Sequence, residues 1–181
     1  EGRSLIPRPG HDPNFDWSGY VPFEEMPYIF NPESGYIATA NNKTIGNEFP
    51  YYISGLWADP SRIERIIELI EPLSTATVQD MKTVQLDLVS TFAKEVIPYI
   101  LQFNFEFEDK ETGDAVNYIR NWDGNESKTS GEALLFHTIM RELILNIYAD
   151  ELSVLGENYV EAFLGIKYLY TRNLRILLNL M

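Results

Sequence analysis

The sequence predicts a mainly α protein, a helical domain preceded by an extended, proline-rich segment, and three observations carry that prediction. Pro7, Pro9, Pro13, Pro22, Pro27 and Pro32 crowd the first 34 residues, where regular helix is excluded because proline removes a backbone donor and clashes with the preceding turn. From Asp59 onward, apolar residues recur at helical spacing. Between these regions, Tyr36-Ile37-Ala38-Thr39-Ala40 is the one short stretch that reads as a strand.

The elements follow in order. Residues 1–34 carry Phe15, Trp17, Tyr20, Phe23, Tyr28 and Phe30, more apolar area than a floppy linker holds, so an ordered aromatic loop is expected. The Tyr36–Ala40 strand ends at Asn41 and Asn42. On the residues alone these two close a turn, because asparagine tolerates left-handed backbone angles and bonds its own main chain; the other reading is an active-site donor. In "DPSRIERIIELIEP", Asp59 is an N-cap candidate, Pro60 takes the first helical position, and Ile63, Ile66, Ile67 and Ile70 share a face. "TVQDMKTVQLDLVSTFAKEVIP" predicts one long helix. It opens on Thr77 and Asp80 at capping-box spacing, carries a stripe of Met81, Val84, Leu88, Phe92 and Val96, and ends near Pro98. Gln85 and Asp87 are expected to hydrogen-bond to each other within it. "FNFEFEDKETGD" reads as an acidic extended connector. "GDAVNYIRNWDG" predicts a short helix with Ala115, Tyr118, Ile119 and Trp122 inward and Gly124 at its exit. Two further helices, "GEALLFHTIMRELILNIYADEL" and "ENYVEAFLGIKYLYTRNLRILLNL", complete the array.

The bulk numbers exclude several functions. A formal charge of -13 repels nucleic-acid backbones and anionic membranes. The absence of cysteine removes disulfides and thiolate metal sites. No apolar run approaches the roughly 20 uninterrupted residues of a bilayer crossing. Only His11 and His137 could supply imidazole chemistry, and their separate settings favour structural roles. The acidic runs lack the order of a calcium-binding EF-hand loop. The final "NLRILLNLM" stops inside an apolar pattern, so the chain is expected to be a piece of a longer protein, with Leu174, Ile176, Leu177, Leu178 and Leu180 promoting self-association.

One order of motifs carries more. "DWSGYVPFEEMPYIFNPESGYIATANN", "LWADPSRIERI", "VQLDLVS" and "IRNWDG" follow each other along the chain, and this series strongly resembles the penicillin acylase (penicillin amidase) family of N-terminal nucleophile hydrolases. The likeness is most specific over residues 16–62, weaker to 124, and beyond about 130 only a compatible helical pattern. It implies that residues 1–58 complete the edge of an αββα catalytic core and that residues 59–181 form an inserted helical knob. It further implies hydrolysis of a linear amide, from which an acyl group is released, by an N-terminal serine outside this chain whose own α-amino group acts as base. The isolated chain is then expected to be inert.

By the same resemblance, Asn41 corresponds to the oxyanion-hole residue, a donor that adds no charge and does not titrate. Arg62, five residues after Trp57, resembles the arginine that orients the asparagine and the surroundings of the nucleophile. Read without the resemblance, Arg62 would be a surface ion pair with Glu64 or Glu68. Trp17, Phe23, Tyr36 and Trp57 are expected in aromatic packing, with an acyl pocket as the other reading. The chemistry requires no cofactor. The family's structural calcium draws a carboxylate from a position shortly before the Leu-Trp pair, where "FPYYISGLW" has none, so no calcium ligand is assigned here. Implied partners are the remaining segments of the parent enzyme and a small-molecule amide, in a periplasmic or secreted setting. The competing class is a non-catalytic helical interaction module.

Overall fold

The computed structural model describes residues 7–102 and 110–165. It divides into two units, Glu1–Pro60 and Ser61–Met181. Among the described residues it is helical without strands, the mainly α class that the apolar periodicity predicts.

Proline dictates the character of the first unit. Two single-turn 3-10 helices, Pro13–Phe15 and Phe23–Glu25, each begin at or just after a proline. Asp12 caps the first by accepting the Asn14 amide at 3.0 Å. No described residue of this unit is buried. Trp17 and Phe23 are 84% and 87% exposed, which corrects their expected place in aromatic packing; Tyr36 and Trp57 are half-buried. Trp17 meets a local ring, Tyr20, edge to face at 6.1 Å.

Tyr36–Ala40, expected as a strand, carries no strand assignment among the described residues. Just beyond it, the Ala58 N–H donates to the Asn41 carbonyl at 2.7 Å.

Among the described residues of the second unit six α-helices follow: α1 (Ser61–Ile70), α2 (Val78–Leu86), α3 (Thr91–Gln102), α4 (Lys110–Arg120), α5 (Gly131–Ser153) and α6 (Glu157–Gly165). The capping box at α2 forms as its spacing predicts: the Thr77 hydroxyl accepts the Asp80 amide and the Asp80 carboxylate accepts the Thr77 amide. Ser130 caps α5 by accepting the Ala133 amide at 3.1 Å.

The long helix expected from Thr77 to Pro98 is two helices. After Leu86 the chain extends through Asp87-Leu88-Val89-Ser90, where Val89 bridges antiparallel to Asn125. Met81 and Leu88, expected in the buried stripe, are 40% and 52% exposed, because the break takes them out of phase with α3. Nor does Pro98 end α3, which runs four residues further. Its ring lies on the exposed side, and burial of Val96, Ile97 and Ile100 outweighs the lost backbone donor. Lys110 to Asp114, expected in the acidic connector, form the first turn of α4; residues 103–109 lie outside the described set.

The core is built by α3 and α5. Phe92, Ala93, Val96, Ile97 and Ile100 on one helix meet Phe136, Met140 and Ile144 on the other, with Trp122, Ile139, Leu143 and Phe163 packed around them. Phe136 is the centre, completely buried, with ring centroids 6.4 Å from Phe92 and 5.6 Å from Trp122. Ile119 of α4 is buried as expected, but Tyr118 is 53% exposed. Its ring lies over the first turn of α5 instead, so close that a β-carbon at Gly131 would stand 2.9 Å from the Tyr118 hydroxyl. The leucines of the final apolar stretch, 174 to 180, lie outside the described residues.

Candidate functional site

Asn41 follows the Tyr36–Ala40 stretch at a bend in the chain. Its φ is +61°, the left-handed region that asparagine enters more readily than other side chains with a β-carbon. The turn is tied by its neighbour: Asn42 Oδ1 accepts the Ala40 amide at 3.0 Å, and Asn42 Nδ2 donates to the Lys43 carbonyl at 3.2 Å. Asn42 therefore holds the backbone, while Asn41, an exposed residue, contributes its carbonyl to Ala58. The left-handed backbone at Asn41 and the side-chain bonds of Asn42 together form the turn that the residue types predict.

Arg62 is the second residue of α1 and is exposed. Asn41 belongs to the first unit and Arg62 to the second, and each is described within its own unit. One turn after Arg62 stands Arg65, whose guanidinium the sequence does not single out. Arg65 Nε and Nη2 donate to Asp87 Oδ1 and Oδ2, both at 2.8 Å, and Nη1 reaches Glu68 at 2.8 Å. The expected Gln85–Asp87 pair is corrected by this fork: Gln85 is exposed on α2, while Asp87 caps the helix end and turns toward α1. Hydrogen bonding to Arg65 holds the Asp87 carboxyl below the usual carboxylate range, and the carboxylates in turn raise Arg65. No local signal could have found this partnership, since 22 positions separate the two residues.

Near the same elbow, His137 Nε2 lies 3.1 Å from Glu126 Oε1, a structural role. The hydrogen bond to Glu126 raises the imidazole above its ordinary 6.5, and the same bond lowers Glu126 below 4.5. With the folded pKa of His137 raised, its contribution is complete below pH 6.5 and is lost as pH rises through the folded value. With that of Glu126 depressed, its contribution is complete above pH 4.5 and is lost as pH falls through the folded value. The pair is therefore expected to stabilise most between these limits, by less than about 1 kcal/mol because both groups remain partly solvated. Thermal unfolding of the chain near the acidic and the alkaline side of the His137 titration checks this: Glu126→Gln should flatten the difference, and an unchanged difference would deny the pair any role.

Among the described residues no group of three or more histidines and carboxylates could hold a metal ion. No described helix is long and apolar enough to cross a membrane.

Comparison with known proteins adds to this geometry. The family model described as penicillin amidase matches residues 1–179. An acyl-homoserine lactone acylase, QuiP, of Pseudomonas syringae pv. syringae (strain B728a) is 29% identical over 167 residues, 84% of this chain and 20% of that protein. A penicillin acylase 2 proenzyme of Pseudomonas sp. (strain SE83) is 33% identical over 85 residues, 47% of this chain and 11% of that protein. The penicillin G acylase of Escherichia coli is 38% identical over 72 residues, 34% of this chain and 8% of that protein. The chain thus spans about a fifth of the length of the relatives that align across most of it.

Proposed function

This chain belongs to the penicillin amidase family, and from that premise we propose that it is a segment of an amidase that hydrolyses a linear amide into a carboxylic acid and an amine. The observation that carries the proposal is the match of the family model across residues 1–179, in a chain whose motif series brings a left-handed Asn41 to the end of the 36–40 segment.

In this reaction a serine at a chain N-terminus, carried by another segment of the parent, attacks the amide carbonyl. Its α-amino group takes the proton and delivers it to the departing amine, leaving an acyl-serine ester that water, deprotonated by the same amino group, then hydrolyses to the carboxylic acid and the free serine. Asn41 is the oxyanion-hole donor. Its carboxamide N–H meets a weakly polar carbonyl in the ground state and a full oxyanion in the tetrahedral intermediate, so the interaction strengthens where the barrier lies. Arg62 orients the reacting groups, a task suited to a planar guanidinium that stays charged at every working pH. Residues 1–58 complete the edge of the αββα core, and residues 59–181 form the helical knob.

For the acyl-amine pair, N-acyl-homoserine lactones are the first class to test, because the relatives named for that substrate align across 84% to 91% of this chain while those named for penicillin align across less than half. The complete enzyme is expected to release free amine from an N-acyl-homoserine lactone or a phenylacetyl amide. The 181-residue chain by itself is expected to release none, since an oxyanion donor without a nucleophile has nothing to stabilise. Turnover by the chain alone would overturn the assignment of the nucleophile. A complete protein inert on both classes would favour the non-catalytic interaction module.

A further inference from the structure

We propose that Asp87 and Thr91 are positioning residues for Arg62: the elbow between α2 and α3 clamps the first turn of α1 on both sides of that arginine. The inference rests on the role of Arg62 in the proposed reaction and extends it to residues remote in sequence.

Two tethers reach α1 from this elbow. The Thr91 hydroxyl donates to the Ser61 carbonyl at 2.7 Å, the residue immediately before Arg62. The Asp87 carboxylate takes the Arg65 fork at 2.8 Å on both oxygens, one turn after Arg62. Both members of this fork are largely withdrawn from water, at 18% and 17% exposure. A bidentate guanidinium–carboxylate pair fixes direction as well as distance.

Such tethers matter here because the apolar face of α1 is only partly covered. Ile63 is its one buried residue among those described, and apolar contact is not directional. Ile66, Ile67, Leu69 and Ile70 are half-buried, so the apolar face sets which side of α1 lies inward but leaves small rotations of the helix to directional bonds. Polar bonds before and after Arg62 stop such rotations.

The elbow is itself held firmly. Asp87 Oδ1 also accepts the Val89 amide at 3.1 Å. Ser90 N–H donates to the Gly124 carbonyl at 2.8 Å, and Glu126 N–H donates to the Leu88 carbonyl at 2.9 Å. Gly124 must be glycine for this approach: its φ is +83°, and a β-carbon there would stand 3.1 Å from the Ser90 carbonyl oxygen. Trp122 Nε1 donates to the Asn125 carbonyl at 3.1 Å, and its ring packs on Phe136 in the core. A continuous series of directional contacts therefore runs from the α3–α5 core through residues 122–126 and the elbow to the turn that bears Arg62.

The test is a mutant cycle in the complete enzyme. Asp87→Asn keeps the size of the side chain but removes its charge, and Thr91→Val keeps the shape but removes the hydroxyl. Each is expected to lower kcat on the order of tenfold, with KM changed less than about threefold, the signature of reacting groups displaced by a fraction of an ångström. In an Arg62→Ala background neither should lower kcat further, because the residue they position is gone. Unchanged kcat in both single variants, or the same loss with and without Arg62, overturns the proposal. If Arg62→Ala alone leaves kcat normal, the role assigned to Arg62 fails and the proposal falls with it, an outcome distinct from the other two. Should Asp87→Asn fail to fold, Thr91→Val decides the question, with thermal unfolding confirming that its fold persists. Restoration of kcat by Asp87→Glu would support the carboxylate's directional role.

Discussion

Replacing Asn41 by glycine in the complete enzyme is expected to lower kcat by about 10²–10³, equivalent to about 2.7–4 kcal/mol of transition-state stabilisation, the loss that follows removal of one oxyanion donor. Glycine is the informative replacement because Asn41 holds φ at +61°, a conformation glycine adopts freely and alanine adopts at a cost of about 1–2 kcal/mol. Asn41→Ala therefore mixes two effects, whereas Asn41→Gly removes the carboxamide and keeps the turn. The loss should fall on kcat more than on KM, since the donor binds the developing charge more strongly than the carbonyl. Asn42→Ala is the control. It deletes the bonds to the Ala40 amide and the Lys43 carbonyl, and its effect is expected mainly in stability. Near-normal kcat in Asn41→Gly, or a greater loss of kcat in Asn42→Ala, would return the asparagine pair to a turn and nothing more.

Phe136→Ala is expected to destabilise the helical unit by about 3–5 kcal/mol, the cost of deleting a fully buried aromatic and leaving a cavity. The ring is inaccessible to solvent and is shared between α3, through Phe92, and the segment after α4, through Trp122. No single neighbour can fill the space without leaving another. Against a total stability of about 5–15 kcal/mol for an ordinary domain, such a loss should bring the unfolding midpoint down markedly. Leu134→Ala on the same helix removes a side chain that is 71% exposed and is expected to change stability by less than about 0.5 kcal/mol. Denaturant unfolding followed by far-ultraviolet circular dichroism measures both. Equal midpoints for the two variants would mean that Phe136 does not centre the core.

The legible part of the fold is the part encoded over short distances. Thr77 and Asp80 announce the start of α2 because a capping box needs only residues three apart, and Ile63, Ile66, Ile67 and Ile70 announce α1 because one face of a helix is read from spacing. The roles proposed for Asn41 and Arg62 rest on their place in an ordered motif series, for neither residue type in isolation distinguishes a turn or a surface ion pair from a reacting group. Where the reading of the residues went astray, the competing interaction was remote. Leu88 fits the period of a continuous helix, yet Asp87 is drawn to Arg65 and Val89 to Asn125. Pro98 reads as a stop, yet Ile97 and Ile100 are held in the core on either side of it.

By itself, then, the sequence determined the helical class, the proline-driven irregularity of the first 34 residues, the caps and apolar faces of the helices, and the family resemblance. Those properties arise from backbone sterics and from side chains within one or two turns of each other. Tertiary structure alone decided that the helix expected from Thr77 divides at Asp87, that Val89 bridges to Asn125, and that Arg65 rather than Gln85 is the partner of Asp87. Each of these depends on whether a group far along the chain arrives within hydrogen-bonding distance, and the free energy of that meeting is set by the folded arrangement rather than by any local pattern.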